Sequence, residues 1–354
     1  MRRTGVVVGK FLPPHRGHHH LIETAGKHAR TVHVLLCTRQ TDVIPGDLRE
    51  AWLREVHPEA QIHVVPYDSL PDNDSQAWAE VTRQTLGFIP DVACTSEGYG
   101  ETWARLLGCE HVCVDLDRRF VPVSGTQVRA NPFACWEYLE PCVRAYFTIR
   151  VAVVGAESTG KTTLSEELAE ALNTEWVPEY GRDYTYLKLS RYRSMEEIRW
   201  HTRDFVAIAR EQQAREDAAA RRANRVLVCD TDSFATAIWH ERYTGRRSPA
   251  VERQARWSHI WLYFLTDVRT PFFQDGIRDG EAIREWMHNR FLEAMAGTGR
   301  PYAELSGSPE RRLEIARDNI EFIMSQPFHY GRANSLYRRQ LPIPAPRRPI
   351  PEAG

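Results

Sequence analysis

Arg150-Val-Ala-Val-Val-Gly155-Ala-Glu157-Ser158-Thr159-Gly160-Lys161-Thr162-Thr163-Leu164 decides how the chain is built. The β-branched run Ile149, Val151, Val153 and Val154 reads as a buried strand, and Leu164, Leu168 and Leu172 set a helical period behind it. Between them, two glycines separated by four residues let the backbone curl so that successive N–H groups face a triphosphate, while the helix N-terminus adds its dipole. This is a P-loop. Gly155, Glu157, Ser158, Thr159, Gly160, Lys161, Thr162 and Thr163 are read as the ATP-phosphate site. Lys161 reaches the β- and γ-phosphates and the Thr162 hydroxyl ligates Mg²⁺.

A P-loop follows the first strand of its domain, so one at Gly155 places a separate domain ahead of it. The length of 354 residues suits two domains. The reading divides the chain into residues 1–147, 148–328 and a proline-rich tail over 329–354, extended in character. A hydrophobic content of 42% suffices for ordinary cores. Charge is balanced in each half, with 15 basic and 18 acidic residues through Phe147 and 31 and 29 after it. Neither half has the basic excess of a nucleic-acid binder. Of the seven cysteines, Cys37, Cys94, Cys113 and Cys229 sit in or beside apolar runs as core filler, and Cys109 with Cys113 lacks the second pair that a zinc site needs. With no apolar run of membrane-spanning length and no signal-peptide core, the expected setting is cytoplasmic, without membrane partners. The oligomeric state, homo-oligomer or monomer, is left open.

In the first half, the strand Gly5-Val-Val-Val8 runs into Gly9-Lys10-Phe11-Leu-Pro-Pro-His15-Arg-Gly-His18 and a helix. On that helix His18, Leu21, Ile22 and Ala25 share one face, with His19 and His20 expected to point elsewhere. The histidines therefore stand where the first strand hands over to the first helix, at the sheet edge where open α/β folds bind nucleotides. Further strands at Val32–Leu36, Gln61–Val65, Val92–Thr95 and His111–Val114 alternate with helix-length segments, which predicts a parallel, doubly wound sheet. Ser124-Gly125-Thr126-Gln-Val-Arg129 then brings hydroxyls, N–H groups and a guanidinium together as an anion site.

Together these stretches resemble the HxGH nucleotidylyltransferases, whose histidine and S/T-x-x-R loops grip ATP. The order of the halves resembles the bifunctional nicotinamide mononucleotide adenylyltransferase/ribosylnicotinamide kinase family, NadR. Agreement extends to Val114-Asp-Leu-Asp117-Arg, Pro132-Phe-Ala-Cys-Trp136, Glu179-Tyr180-Gly-Arg182 and Cys229-Asp230-Thr-Asp232, over about residues 5–325. Enterobacterial members carry an N-terminal helix-turn-helix repressor domain for which this sequence has no room, so no transcriptional role is carried over.

The resemblance implies α/β architecture in both halves: an HxGH nucleotidylyltransferase domain and a P-loop kinase domain. It implies Mg²⁺ as cofactor, and ATP, nicotinamide riboside, nicotinamide mononucleotide (NMN) and NAD as ligands. ATP in the first half would be held by Gly9, Lys10, Phe11, His15, His18, Ser124, Gly125, Thr126 and Arg129, with His15 and His18 catalytic. Trp78 and Trp103 are read either as stacking on nicotinamide or as core. In the second half, Glu179 takes the acceptor hydroxyl, Asp230 the metal, and Asp232 the riboside beside Tyr180 and Arg182. A segment over residues 273–280 would close Arg278 over the phosphates, and Gly307–Arg312 would border the adenine. Residues 195–223 read as one long, largely solvated helix, and Leu313–Met324 as the last helix. An adenylyltransferase–kinase fusion for other small molecules and a nucleotide-sensing regulator are the rival readings.

Overall fold

The computed structural model describes residues 2–68, 70–71, 73–194, 197–256, 258–272 and 281–337, with no side-chain account of residues 2, 3, 336 and 337. The chain forms two compact units: the first runs to Phe147 and adds Gln326–Gly331, and the second holds Thr148–Ser325 and the stretch from Arg332. Each unit carries a five-stranded, all-parallel sheet.

In the first unit the strands are β1 (Arg2–Gly9), β2 (Ala29–Thr38), β3 (Gln61–Pro66), β4 (Val92–Thr95) and β5 (Glu110–Cys113), in spatial order β3-β2-β1-β4-β5. Helices α1 (Arg16–His28), α2 (Gly46–Val56), α3 (Ser75–Leu86) and α4 (Gly100–Leu107) make the crossovers, followed by α5 (Gly125–Ala130) and α6 (Pro141–Phe147). Helices cover both faces, so the central strands are apolar on both sides: Val6, Val7, Val34, Leu35 and Leu36 are fully buried. The strand order reverses at β1, which leaves a crevice outside the carboxyl ends of β1 and β4.

The second unit has β6 (Ile149–Val154), β7 (Trp176–Val177), β8 (Val226–Asp230), β9 (Leu262–Thr266) and β10 (Tyr302–Leu305), ordered β10-β9-β6-β8-β7. Its helices are α7 (Lys161–Ala171), α8 (Tyr180–Leu189), α9 (Thr202–Ala220), α10 (Ser233–Thr244), α11 (Pro249–Ala255), α12 (Arg284–Thr298) and α13 (Pro309–Ser325). Strand β6 lies at the centre, and its register sets Val153 opposite Asp230, so the P-loop and the end of β8 emerge side by side.

Three expectations change. The long helix starts at Thr202, because the Asp204 carboxylate accepts from the His201 N–H at 2.8 Å and fixes the turn there. It is also less solvated than its charge pattern implies, since Asp204, Gln212 and Glu216 are buried. Asp204 takes the Tyr184 hydroxyl and the Lys188 ammonium, Gln212 takes the Tyr180 N–H, and burial pushes the Glu216 carboxyl well above the usual carboxylate range. Residues 330–337, read as part of an extended tail, form helix α14 (Tyr330–Tyr337). Just before it Phe328 packs on Phe147, and the Tyr330 hydroxyl donates to the Arg129 carbonyl at 3.0 Å. The remainder of the tail lies outside the described residues, within which no helix is long and apolar enough to cross a membrane.

The third change concerns His19: expected to point away from the buried face of His18, it is itself buried at 4% exposure. His57, at the C-terminal cap of α2, reaches it, and the two rings share a contact of 2.9 Å between Nδ1 of His19 and Nε2 of His57. Only one proton fits between those nitrogens, so burial first, and then the neighbouring ring, holds His19 down to about 3. In the unfolded chain the same group titrates near the ordinary 6.5. Between these values the unfolded state binds more protons, so stability falls as pH drops below 6.5. Urea denaturation of the first unit is expected to show a loss of about 2 kcal/mol from His19 alone between pH 7.5 and 5. His19→Leu should reduce that acid loss, as the shift in urea midpoint will show.

Candidate active sites

In the first unit, the crevice beyond β1 and β4 is a cavity of about 520 Å³. Gly9, Lys10, Phe11, His15, His18, Ser124, Gly125, Thr126 and Arg129 all line it, as do Trp78 and Trp103. The backbone is bent sharply where β1 ends: Phe11 has a φ of 46°, a left-handed conformation that a non-glycine residue adopts only when its surroundings impose it. Its ring is 1% exposed and packs 4.9 Å from His18. His15 then caps α1, its Nδ1 accepting the Gly17 N–H at 3.2 Å. This cap leaves the His15 and His18 rings 3.8 Å apart, both turned to the cavity.

Burial, followed by the charges of Arg118 and Arg129, holds His15 down to about 4. Burial, followed by the neighbouring His15, His19 and Arg118, keeps His18 well below the ordinary range. Both rings are therefore neutral near pH 7, each offering one N–H as a donor. The cationic charge comes from Arg129, held by the Leu12 carbonyl at 2.6 Å and the Thr126 hydroxyl at 3.0 Å. Gly125 faces the same carbonyl so closely that a Cβ would lie 3.0 Å from it. Ser124 caps α5 in a reciprocal pair with Gln127.

The two tryptophans differ. Trp78 is half-buried, donates to the Pro71 carbonyl at 3.0 Å and lies 5.2 Å from Tyr67, giving the cavity an aromatic corner. Trp103 is 1% exposed and packs in the core with Val6, Leu35 and Ala93. Glu97 and Arg118, paired at 3.0 Å, also line the cavity and were not singled out from the sequence. The signal for Arg118 was Val114-Asp-Leu-Asp117-Arg, which follows a strand end. There Asp115 accepts the N–H groups of Arg119, Phe120 and Val121 and shapes the loop.

In the second unit, Gly155 has a φ of 147°, and a Cβ there would lie 2.4 Å from the Thr266 hydroxyl. Only glycine lets β6 turn beside β9 at this point. Gly160, with a φ of 82°, caps α7. Lys161 donates to the Ala156 carbonyl at 2.8 Å, and Thr159 bridges the Ala156 carbonyl and Thr266. The Thr162 hydroxyl donates to Oδ2 of Asp230 at 2.6 Å. Among the described residues Oδ1 of Asp230 has no partner although the residue is 1% exposed. A buried carboxylate oxygen left open beside a threonine hydroxyl is an oxygen-donor set that suits Mg²⁺.

Glu179 faces the loop from the end of β7. Burial first, and then the Asp230 charge, pushes it up to about 7, while Lys161 and Arg182 pull the other way. Burial also raises Asp230. The space between the loop and helices α9 and α10 is a cavity of about 130 Å³, lined on the polar side by Glu157, Lys161, Thr162, Glu179 and Arg182. Its opposite wall is aromatic, made by Trp200, Phe205, Trp239 and Tyr243, with Trp200 and Tyr243 rings 5.1 Å apart. Sequence reasoning passed over this wall. Its one legible signal is the i, i+4 spacing of Trp239 and Tyr243.

Tyr180 and Asp232, expected beside the riboside, are not among the residues that line this cavity. Tyr180 packs against Tyr184 and lies under the Arg215 guanidinium at 4.4 Å. Asp232 is fully buried as the cap of α10, accepting from the Ala235 N–H, the Ser258 hydroxyl and the Tyr263 hydroxyl. Its oxygens are spent on the fold. A second cavity, of about 590 Å³, opens on the other side of the loop. Gly307 and Arg312 border it, and Arg312 ties the Thr159 carbonyl to Asp267 and Thr270. Arg278 lies outside the described residues.

The AAA domain family matches residues 150–312. The trifunctional NAD biosynthesis/regulator protein NadR of Escherichia coli strain K12 is 32% identical over 316 residues, 82% of this chain and 76% of that protein. The NadR protein of Salmonella typhimurium strain LT2 is 31% identical over 319 residues, 83% of this chain and 76% of that protein. Two crystal structures share the fold at 20% identity, each covering 93% of this chain and 98% of the other. One is NadR protein in complex with NR, at a TM-score of 0.75, and the other is NadR protein in complex with NAD and AMP-PNP, at 0.72. With two α/β units in this order and a relative of that identity and coverage, the chain belongs to the NadR family.

Proposed function

We propose that the second unit phosphorylates nicotinamide riboside with ATP to NMN, and that the first unit transfers the adenylyl group of a second ATP to NMN, giving NAD and pyrophosphate. The observation that carries this reading is the pairing of two phosphate-gripping sites in one chain, the second of which has an acceptor cavity with one aromatic wall and with Glu179 on its polar side. NadR proteins bear the name of NAD biosynthesis and have been crystallised with NR, NAD and AMP-PNP, which supports these ligands.

In the kinase step the pyridinium ring of the riboside is a cation, and Trp200, Trp239 and Tyr243 offer it aromatic faces. Glu179 orients the 5′-hydroxyl and takes its proton as the oxygen attacks the γ-phosphorus and the bond to ADP breaks. Lys161 and the loop N–H groups meet the phosphate charge. Thr162 and Asp230 would hold Mg²⁺, which neutralises charge on the β- and γ-phosphate oxygens when bound. In the adenylyl step the nucleophile is a phosphate already ionised at neutral pH, so no base is needed. A phosphate oxygen of NMN attacks the α-phosphorus, and pyrophosphate leaves. Neutral His15 and His18 donate hydrogen bonds to the charge that builds there, with Lys10 and Arg129 adding cations.

The two activities are expected to separate by substitution. His18→Ala should cost adenylyl transfer on the order of 10²–10⁴ and leave riboside phosphorylation nearly intact. Lys161→Ala should do the reverse. Assays of pyrophosphate and ADP on folded variants check this, and loss of both activities from either change would overturn the two-site reading.

Glu179 and Asp230 make different demands on the metal. Glu179→Gln should lower kcat with little change in Mg²⁺ requirement, whereas Asp230→Asn should raise the Mg²⁺ concentration giving half-maximal rate. A Mg²⁺ titration of riboside phosphorylation distinguishes them, and a raised requirement in Glu179→Gln alone would reverse the assignment.

A further inference from the structure

Glu157 is an acid inside a loop built to receive a triphosphate, and it is nearly buried, with 12% of its side chain exposed. An unpaired carboxylate there would repel the ligand that the loop holds. Its partner is Arg242, 6% exposed, on the last turn of α10, with Nη1 2.8 Å from Oε1 of Glu157. The same Nη1 lies 2.9 Å from the Tyr243 hydroxyl. The guanidinium also lies over two rings, 4.4 Å from the centre of Tyr243 and 5.2 Å from that of Trp239. Those two rings belong to the aromatic wall of the acceptor cavity.

We propose that Arg242 is a positioning residue that joins the acceptor wall of this site to its phosphate loop through Glu157. The inference rests on the kinase reading given above. One guanidinium does two separable things: it cancels the loop's carboxylate, and its flat face fixes the angle of Trp239 and Tyr243. Arginine suits both tasks, because its planar fork pairs with a carboxylate while its face stacks on rings. Losing Arg242 takes away the guanidinium 2.8 Å from a nearly buried carboxylate in the phosphate loop, and breaking a buried ion pair is costly. The two contributions therefore respond to different substitutions. Arg242→Met exposes the carboxylate and frees the rings, Glu157→Gln with Arg242→Met removes the carboxylate but leaves the rings unsupported, and Arg242→Lys keeps the charge while losing the stacked plane.

Steady-state kinetics of riboside phosphorylation by the full chain test this. Arg242→Met is expected to raise KM for ATP and for the riboside each by about tenfold, with kcat changed less than about threefold. In Glu157→Gln/Arg242→Met the ATP KM should return to within about threefold of the wild type, while the riboside KM stays raised. Arg242→Lys, the milder change should Arg242→Met not fold, is expected to raise only the riboside KM. An ATP KM as high in the double variant as in Arg242→Met, or a riboside KM within about twofold of wild type in both single variants, would overturn the proposal. Should the wild type fail to phosphorylate the riboside, the kinase reading itself falls. Calorimetry with AMP-PNP and Mg²⁺, with Lys161→Ala identifying the isotherm of this site, then reads the ion pair alone: about tenfold weakening by Arg242→Met, restored by Glu157→Gln, supports it, and no restoration sinks it.

Discussion

A triphosphate brings several negative charges to a protein surface, and an α/β sheet can meet them at one edge only, beyond the carboxyl ends of its strands. Both units of this chain are arranged around that constraint and meet it differently. The second unit uses backbone: glycines at 155 and 160 turn the chain so that N–H groups line up, and Lys161 adds a positive charge. The first unit uses side chains, with two neutral histidines held close together and Arg129 fixed by the Leu12 carbonyl. Burial is what keeps the histidines neutral, so the rings give direction to the site while the arginines and Lys10 supply its charge.

That division has a cost in carboxylates. Glu179 and Asp230 are both buried in the site, and burial raises both, with the Asp230 charge adding to the rise of Glu179. Glu157 is treated differently, since its compensation is built into the fold by Arg242.

Much of this was legible in the sequence for a physical reason: both sites lie where a β-branched run ends in glycine and a helical period begins, and that change of period is local. The residues at those junctions, from Gly9 to His18 and from Gly155 to Thr163, stand where their spacing puts them. What depends on tertiary contact was not legible. Trp200 comes from the segment before α9 and Trp239 and Tyr243 from α10, and aromatic residues at helical spacing read equally well as core. Asp232 follows the metal-site motif in sequence, yet the three donors that occupy its oxygens come from α10, residue 258 and β9. The burial of His19, off the face that His18 shares, was not legible because its partner, His57, is 38 residues away. The buried side of α9 was hidden under polar groups, Asp204 and Gln212, that Lys188, Tyr184 and Tyr180 satisfy from α8.

The central claim is that one chain carries out two consecutive transfers from ATP, with the product of the second unit as the substrate of the first. Mass spectrometry of the products formed by the purified full chain from ATP, Mg²⁺ and nicotinamide riboside tests it directly. The account predicts that NMN and ADP appear first, and that NAD and pyrophosphate follow as NMN accumulates. Riboside left unchanged at saturating ATP, or NMN that is made and never adenylylated, would contradict it.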